Sequence, residues 1–278
     1  MAAPAVNSAP GGTQAAPGGG DAVIEYRGLH KAFDAPVLAG VSLTVRRGES
    51  LAVVGPSGTG KSVLLKTTIG LIVPDRGDVH IDGESVFAVR RGRLEEIRQK
   101  VGYVFQYAAL FDSLTVYENV AMGIRDEVAR DLGTTEVLRR VVEALEDVNL
   151  KPRQVLAKLP AELSGGMRKR VGLARAIVGR PAIILYDEPV TGLDPVNTAA
   201  VERLISDIDR RMGVTSIIVT HDIEGAMALA DRIALLDRGR LRFVGTPDEF
   251  RRSDEPMVRA FADREAAAAA AERILEEP

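Results

Sequence analysis

The chain has 278 residues, 46% of them apolar, enough to bury a full core in one large domain or two small ones. A net charge of −3 gives no basic field and argues against nucleic acid as a partner, and with no cysteine the chain has neither disulfides nor thiolate metal sites. No apolar run approaches the ~20 residues a membrane-spanning helix needs, so a protein soluble by itself is expected.

Residues 1–20 are almost entirely Ala, Pro, Gly and small polar residues, a composition that predicts a disordered tail ahead of a domain beginning near Asp21. Val23 to Val45 reads as β structure, with Val41, Leu43 and Val45 alternating with polar residues. Phe33, within it, is either a base-stacking aromatic or a core residue. Leu51 to Val54 is a short apolar run, as expected of a strand buried on both faces. It leads into Gly55-Pro56-Ser57-Gly58-Thr59-Gly60-Lys61-Ser62, a G-x-x-x-x-G-K-[ST] phosphate loop, and then into residues at helical spacing. Gly55, Gly58 and Gly60 allow φ > 0 and bring backbone N–H groups close to a polyphosphate. The helix that follows points its positive end at the same anion. Lys61 can reach the β- and γ-phosphates, and the Ser62 hydroxyl can ligate Mg²⁺. The loop predicts that the chain binds a nucleoside triphosphate.

Further along, Val79 to Ile81 forms a short strand between turn signals, and Arg90 to Lys100 forms a solvated helix face in which Glu95 and Glu96 interrupt the basic residues. Val101 to Phe105 is another strand and delivers Gln106 at its end. Residues 113–150 read as helical, with Thr134 as an N-cap and Val137, Val141, Ala144, Leu145 and Val148 as one stripe. A helix is expected from Ser164 toward Val178, a buried strand over Pro181–Tyr186, and a helix after the cap-and-proline pair Asp194-Pro195, running through Met212. Ser216 to Val219 is a third buried strand, ending at Thr220-His221-Asp222. Asp237 to Arg240 turns a hairpin, and Thr246-Pro247-Asp248-Glu249 reads as a capping box. Strands alternating with helices imply a mostly parallel α/β core with an early antiparallel β part and a helical insertion, and no internal repeat is visible.

At the end of the second buried strand, Asp187-Glu188 is a pair suited to Mg²⁺-dependent triphosphate hydrolysis. Asp187 would hold the metal or its water, and Glu188 would orient and deprotonate the attacking water. In Leu163-Ser164-Gly165-Gly166-Met167, Ser164 can cap the helix that follows, and the glycines expose its N-terminus to an anion.

Taken in order, GPSGTGKS, Gln106, LSGGM, YDEP and His221 resemble the ATP-binding cassette (ABC) ATPases over residues 21 to about 250. The resemblance implies a P-loop NTPase of ABC ATPase type using ATP and Mg²⁺, with a mostly parallel core sheet, an antiparallel β subdomain and an inserted α-helical subdomain. It divides the chain into the tail 1–20, an ABC ATPase domain over 21–252 with a helical subdomain over about 107–178, and a C-terminal helical extension over 253–278. It further implies that Phe33 stacks on adenine, and that Gln106 senses Mg²⁺ and couples to the membrane partner. Ser164, Gly165 and Gly166 would contact the γ-phosphate of ATP held by a second copy. Asp194 would communicate between the two sites, and His221 would act on the γ-phosphate. Met167 departs from the glutamine usual in this signature, at a position peripheral to phosphate contact. His30 and His80 match nothing functional and are expected to be structural.

A narrower resemblance lies in residues 106–116, QYAALFDSLTV, in the methionine-bearing LSGGMRKRVGLARAI and in residues 254–261. These are similar to the ATPases of Mla/MCE-type lipid transporters. The resemblance implies transmembrane permease subunits, an ATP-sandwich homodimer and an MCE-domain lipid-binding protein as partners, and a peripheral place on the cytoplasmic face of the inner membrane. An amino-acid importer ATPase and a non-transport ABC ATPase regulating cell-wall hydrolases are the alternatives. Tyr107, Leu110, Phe111 and Leu114 would line a permease groove or pack inside the helical insertion. Arg264 to Glu277 carries six consecutive alanines followed by Ile274-Leu275, and is expected to be a helix, docked on a partner or frayed.

Overall fold

The computed structural model describes residues 21–261 and Asp263, so the expected tail and the alanine-rich segment lie outside the described residues. Strands β1 (Ala22–Ala32), β2 (Pro36–Arg46), β4 (Arg76–Ile81) and β5 (Glu84–Ser85) form an antiparallel sheet in the order β2-β1-β4-β5. Its half-buried alternation matches the sequence: Val41, Leu43 and Val45 face inward on β2. Where β1 crosses β4, Gly77 adopts φ 85°, and a Cβ there would come within 2.4 Å of the Gly28 carbonyl oxygen. Only glycine fits that approach.

The second sheet runs β10-β9-β3-β8-β7-β6, built from β3 (Ser50–Val54), β6 (Val101–Val104), β7 (Ile183–Asp187), β8 (Thr215–Thr220), β9 (Arg232–Asp237) and β10 (Arg240–Gly245). All its neighbouring pairs are parallel except the β9–β10 hairpin. Arg238 and Gly239 close that hairpin, both with φ > 0, the twist that matches its two strands. Strands β7 and β8 are buried along their whole length, the continuous apolar pattern of parallel strands covered on both faces.

Period-two alternation sends successive side chains of these strands into different cores. Leu51 and Val53 of β3, with Ile183 and Leu185 of β7, pack between the two sheets on Leu64 and Leu65 of α1 (Lys61–Thr68). On the other face, Ile184 and Tyr186 of β7 meet the helical side of the molecule. That side comprises α3 (Val116–Ala121), α4 (Asp126–Asp147), α5 (Pro152–Val155), a 3₁₀ turn Pro160–Glu162, α6 (Gly165–Ile177) and α7 (Pro195–Met212), while α2 (Arg91–Gln99) buries Ile97, packs Leu94 on the core between the sheets and exposes its other face. Ala52 and Val54 instead face α8 (Ile223–Leu229), α9 (Pro247–Arg252) and the buried Val258 and Phe261.

The buried hydroxyls are paired. Tyr26 bonds Thr68 at 2.6 Å, and Tyr186 donates to Asp209 at 2.7 Å. The predicted caps at Ser164, Asp194 and Thr246 are present, each side chain accepting from a backbone N–H of the first turn. Thr134 is a correction. The chain is already helical from Asp126, and Gly133 (φ 76°, ψ 162°) breaks that run, so the second stretch starts at Thr134 itself and Gly133, not Thr134, holds the non-helical position before it. Glycine at that break is what the kink requires.

Candidate functional site

Parallel register sets the location. Val54 at the end of β3 lies beside Thr220 at the end of β8, Asp187 of β7 beside Val219, and Val104 of β6 beside Tyr186. The residues immediately following these strands therefore emerge at one carboxyl-end edge: the phosphate loop, Asp187-Glu188, His221 and Gln106. In open α/β sheets ligands bind at this edge.

Gly55, Gly58 and Gly60 adopt φ of 150°, 79° and 101°. At Gly55 and Gly60 close packing excludes a side chain as well, since a Cβ would meet the Leu236 carbonyl oxygen at 2.1 Å or the Val37 carbonyl oxygen at 2.7 Å. Gly58 has open space around it, so its requirement is conformational. Lys61 is 5% exposed and folds over the loop, donating from Nζ to the carbonyls of Gly55 (2.7 Å) and Pro56 (3.1 Å). Pro56, Ser57 and Thr59 complete the turn, with Thr59 Oγ1 donating to the Pro56 carbonyl at 2.8 Å.

Ser62 Oγ donates to Asp187 Oδ1 at 2.6 Å, and Tyr103 Oη donates to Asp187 Oδ2 at 2.9 Å. A hydroxyl and a buried carboxylate thus present hard oxygens side by side, a donor set that fits Mg²⁺ shared with phosphates. Among the described residues no cluster of three or more His, Asp or Glu could hold a metal without such help.

Glu188 follows with φ 49°, an uncommon conformation for a non-glycine residue and one that recurs at functional sites. Its Oε2 accepts from His221 Nδ1 at 2.7 Å and from Thr191 Oγ1 at 2.9 Å, and Lys61 Nζ lies 3.9 Å from Oε1. Burial pushes the Glu188 carboxyl upward, but the His221 hydrogen bond and charge, with Thr191 and Lys61, outweigh it and hold its pKa below the ordinary glutamate value. The carboxylate is held ionised, as a proton acceptor must be.

Two polar groups therefore sit side by side on consecutive residues, Ser62 and Tyr103 on Asp187, and Lys61, Thr191 and His221 around Glu188. Tyr103 and Thr191 are members that the sequence reading did not single out. Alternation along β6 and the i+3 spacing from Glu188 are the only signals either leaves. Gln106 enters the neighbourhood through its carbonyl, which accepts from the half-buried Lys169 of α6. Phe33 is 61% exposed with Lys31 5.4 Å from its ring centre, so the core alternative is wrong for it. Ser164, Gly165 and Gly166 stand outside both groups at the head of α6. There, a Cβ on Gly166 would come within 3.2 Å of Asn197, whose backbone N–H donates to Asp194. The heads of α6 and α7 thus meet. His30 and His80 bond within the antiparallel sheet, to Gly28 and to Gly83 and Asp78.

A family model described as "ABC transporter" matches residues 38–191, from β2 to three residues past Glu188. The chain belongs to that family. Its cassette is an ABC ATPase domain, of the kind that uses ATP with Mg²⁺. It is 44% identical over 239 residues to the "probable ribonucleotide transport ATP-binding protein mkl" of Mycobacterium tuberculosis, covering 86% of this chain and 66% of that protein. It is 38% identical over 230 residues to the methionine import ATP-binding protein MetN of Mesorhizobium japonicum, covering 82% of this chain and 62% of that one. The chain thus spans less than two thirds of the length of these relatives. With the intermembrane phospholipid transport system ATP-binding protein MlaF of Escherichia coli it shares 38% identity over 223 residues, 80% of this chain and 81% of MlaF. Among solved structures, the dimeric post-hydrolysis state of the ATP-binding cassette MJ0796 bound to ADP and Pi superposes with a TM-score of 0.74 at 31% identity, covering 81% of this chain and 98% of that one. CbiO1 of Clostridium perfringens, part of an ABC transporter complex, also gives 0.74, at 29% identity over 91% of this chain and 96% of its own.

Proposed function

We propose that this chain is the ATP-hydrolysing subunit of a membrane ABC transporter, that it works as an ATP-sandwich homodimer, and that its transporter moves phospholipid. The observation that carries the hydrolytic part is the polar cluster at the strand ends, in which a partly buried, ionised Glu188 is bonded to His221 beside Lys61 and the Ser62–Asp187 pair. Bound Mg²⁺ supplies charge neutralisation at the phosphates. Ser62 and Asp187 are the residues that would hold it, with Gln106 at the end of β6 completing the set. Glu188 accepts the proton of the attacking water, and His221 orients Glu188 and reaches the transferred phosphoryl group. Lys61, with the N–H groups of Ser57 to Ser62, binds the phosphates, and Phe33, exposed just past the end of β1, stacks on the base. Ser164, Gly165, Gly166 and Asp194 serve the site of the second copy.

The work is delivered to permease subunits; among the described residues no helix is long and apolar enough to cross a membrane. We place the dimer on the cytoplasmic face of the inner membrane, with an MCE-domain lipid-binding protein in the same complex. Tyr107 and Phe111 support a docking surface there: they are 80% and 51% exposed, which removes the core reading for both. The phospholipid assignment rests on the likeness to MlaF and on residues 106–116, while the likeness to MetN keeps an amino-acid importer as the second reading.

The test is reconstitution with the native permease in phospholipid vesicles. ATP-dependent movement of labelled phospholipid is expected. Phe111→Asp should remain folded and hydrolyse ATP as an isolated chain, yet no longer copurify with the permease. ATP turnover without lipid binding or movement, or stimulation by an amino acid instead, removes the phospholipid assignment.

A further inference from the structure

Two carboxyl groups outside the polar cluster above converge beside it. Asp222 follows His221 directly and caps α8, accepting at Oδ1 from the Gly225 N–H at 3.1 Å. Glu202 projects from α7 onto the same turn. A Cβ built on Gly225 would lie 2.3 Å from Glu202 Oε1 and 2.8 Å from Asp222 Oδ2, so both oxygens crowd one point that only a glycine leaves open. Two ionised carboxylates cannot share such a place, because like charges at this range repel and both are partly desolvated. One proton between them turns the repulsion into a hydrogen bond.

We infer that Glu202 is a positioning residue for ATP hydrolysis: its protonated carboxyl donates to Asp222, ties the head of α8 to α7, and so holds His221 on Glu188. The inference rests on the hydrolytic reading above. Asp222 is fixed at both ends of this path, through its own N–H to Thr220 Oγ1 at 3.0 Å and through the cap on Gly225. Moving it moves the adjoining His221, whose Nδ1 lies 2.7 Å from Glu188.

The charges around Glu202 agree. Burial, then the Asp222 charge and the hydrogen bond with Asp222, raise its pKa to about 7, so the clamp is closed in mildly acid solution and opens as the proton leaves. Arg203 follows it on α7, and Glu224 lies two residues past Asp222 on α8. On the far side of His221, Glu188 accepts from His221 and Thr191 and lies 3.9 Å from Lys61 Nζ.

The experiment is a pH profile of ATP turnover between pH 6 and 9 with saturating Mg²⁺ and ATP, on wild type, Glu202→Gln and Glu202→Ala. Wild type should lose about threefold or more as pH rises through 7 to 8.5. Glu202→Gln keeps a donor to Asp222 at every pH, so its turnover should match wild type at pH 6 and stay flat to pH 8.5. Glu202→Ala should be slow throughout, with no inflection near pH 7. Circular dichroism at both pH extremes establishes that each variant is folded. An alkaline limb in Glu202→Gln identical to that of wild type overturns the inference while leaving the ATPase reading intact. No turnover in wild type at any pH overturns both. If Glu202→Gln does not fold, Asp222→Asn takes its place: it removes the second charge, and persistence of the wild-type limb in it overturns the inference.

Discussion

At Glu188, burial and hydrogen bonding pull in opposite directions, and hydrogen bonding wins. A depressed folded pKa means that the favourable contribution exists above the unfolded value of about 4.3 and is lost as pH falls through the lower, folded value. Removing His221 takes away the largest of the lowering influences and leaves burial less opposed. His221→Ala should therefore raise the Glu188 pKa and move the acid limb of the residual turnover to higher pH, which a rate profile from pH 4 to 7 would read. An acid limb that stays in place would show that His221 does not set the charge on Glu188. Tyr103 and Thr191 bond Asp187 and Glu188, but a hydroxyl bonded to a carboxylate looks in the sequence like that of any other tyrosine or threonine.

The elements were largely legible because their signals are local. Continuous apolar runs marked β3, β7 and β8, and Asp194-Pro195 and Thr246-Pro247 marked the starts of α7 and α9. Within α4 the stretch after Gly133 starts where Thr134 suggested, while the stretch from Asp126 left no cap signal, because Arg125 makes no capping hydrogen bond to its acidic first turn. The close contact of α3 with α6 had no local signal either. Gly123 lies where a Cβ would come within 2.0 Å of the Arg175 carbonyl oxygen, a requirement set by packing and not by its own backbone angles. Gly123→Ala should destabilise the cassette by about 1–3 kcal/mol, the usual penalty of overpacking, measured by urea denaturation. An unchanged midpoint would mean that the two helices part freely there.

For the whole molecule, α1 and α6 each present a helix N-terminus, and the polar cluster embraces the first without the second. In the proposed head-to-tail dimer the phosphate loop of one copy would pair with Ser164 of the other in two identical places. Mixing Lys61→Ala chains with Ser164→Arg chains then leaves one site with both lesions and one intact. Turnover should reappear on mixing, and inertness of verified heterodimers would contradict the arrangement.

The hydrolytic role of Glu188 is the centre of the account, and paired measurements of ATP binding and Mg²⁺-dependent turnover on Glu188→Gln test it most directly. The phosphate contacts of Lys61 and the Ser62–Asp187 pair survive that substitution, while the proton acceptor does not. Nucleotide affinity should remain near that of wild type and turnover should fall by about 10²-fold or more, the scale of general-base catalysis. Lys61→Ala should instead weaken binding itself. Full turnover in Glu188→Gln, with binding intact, would contradict the assignment.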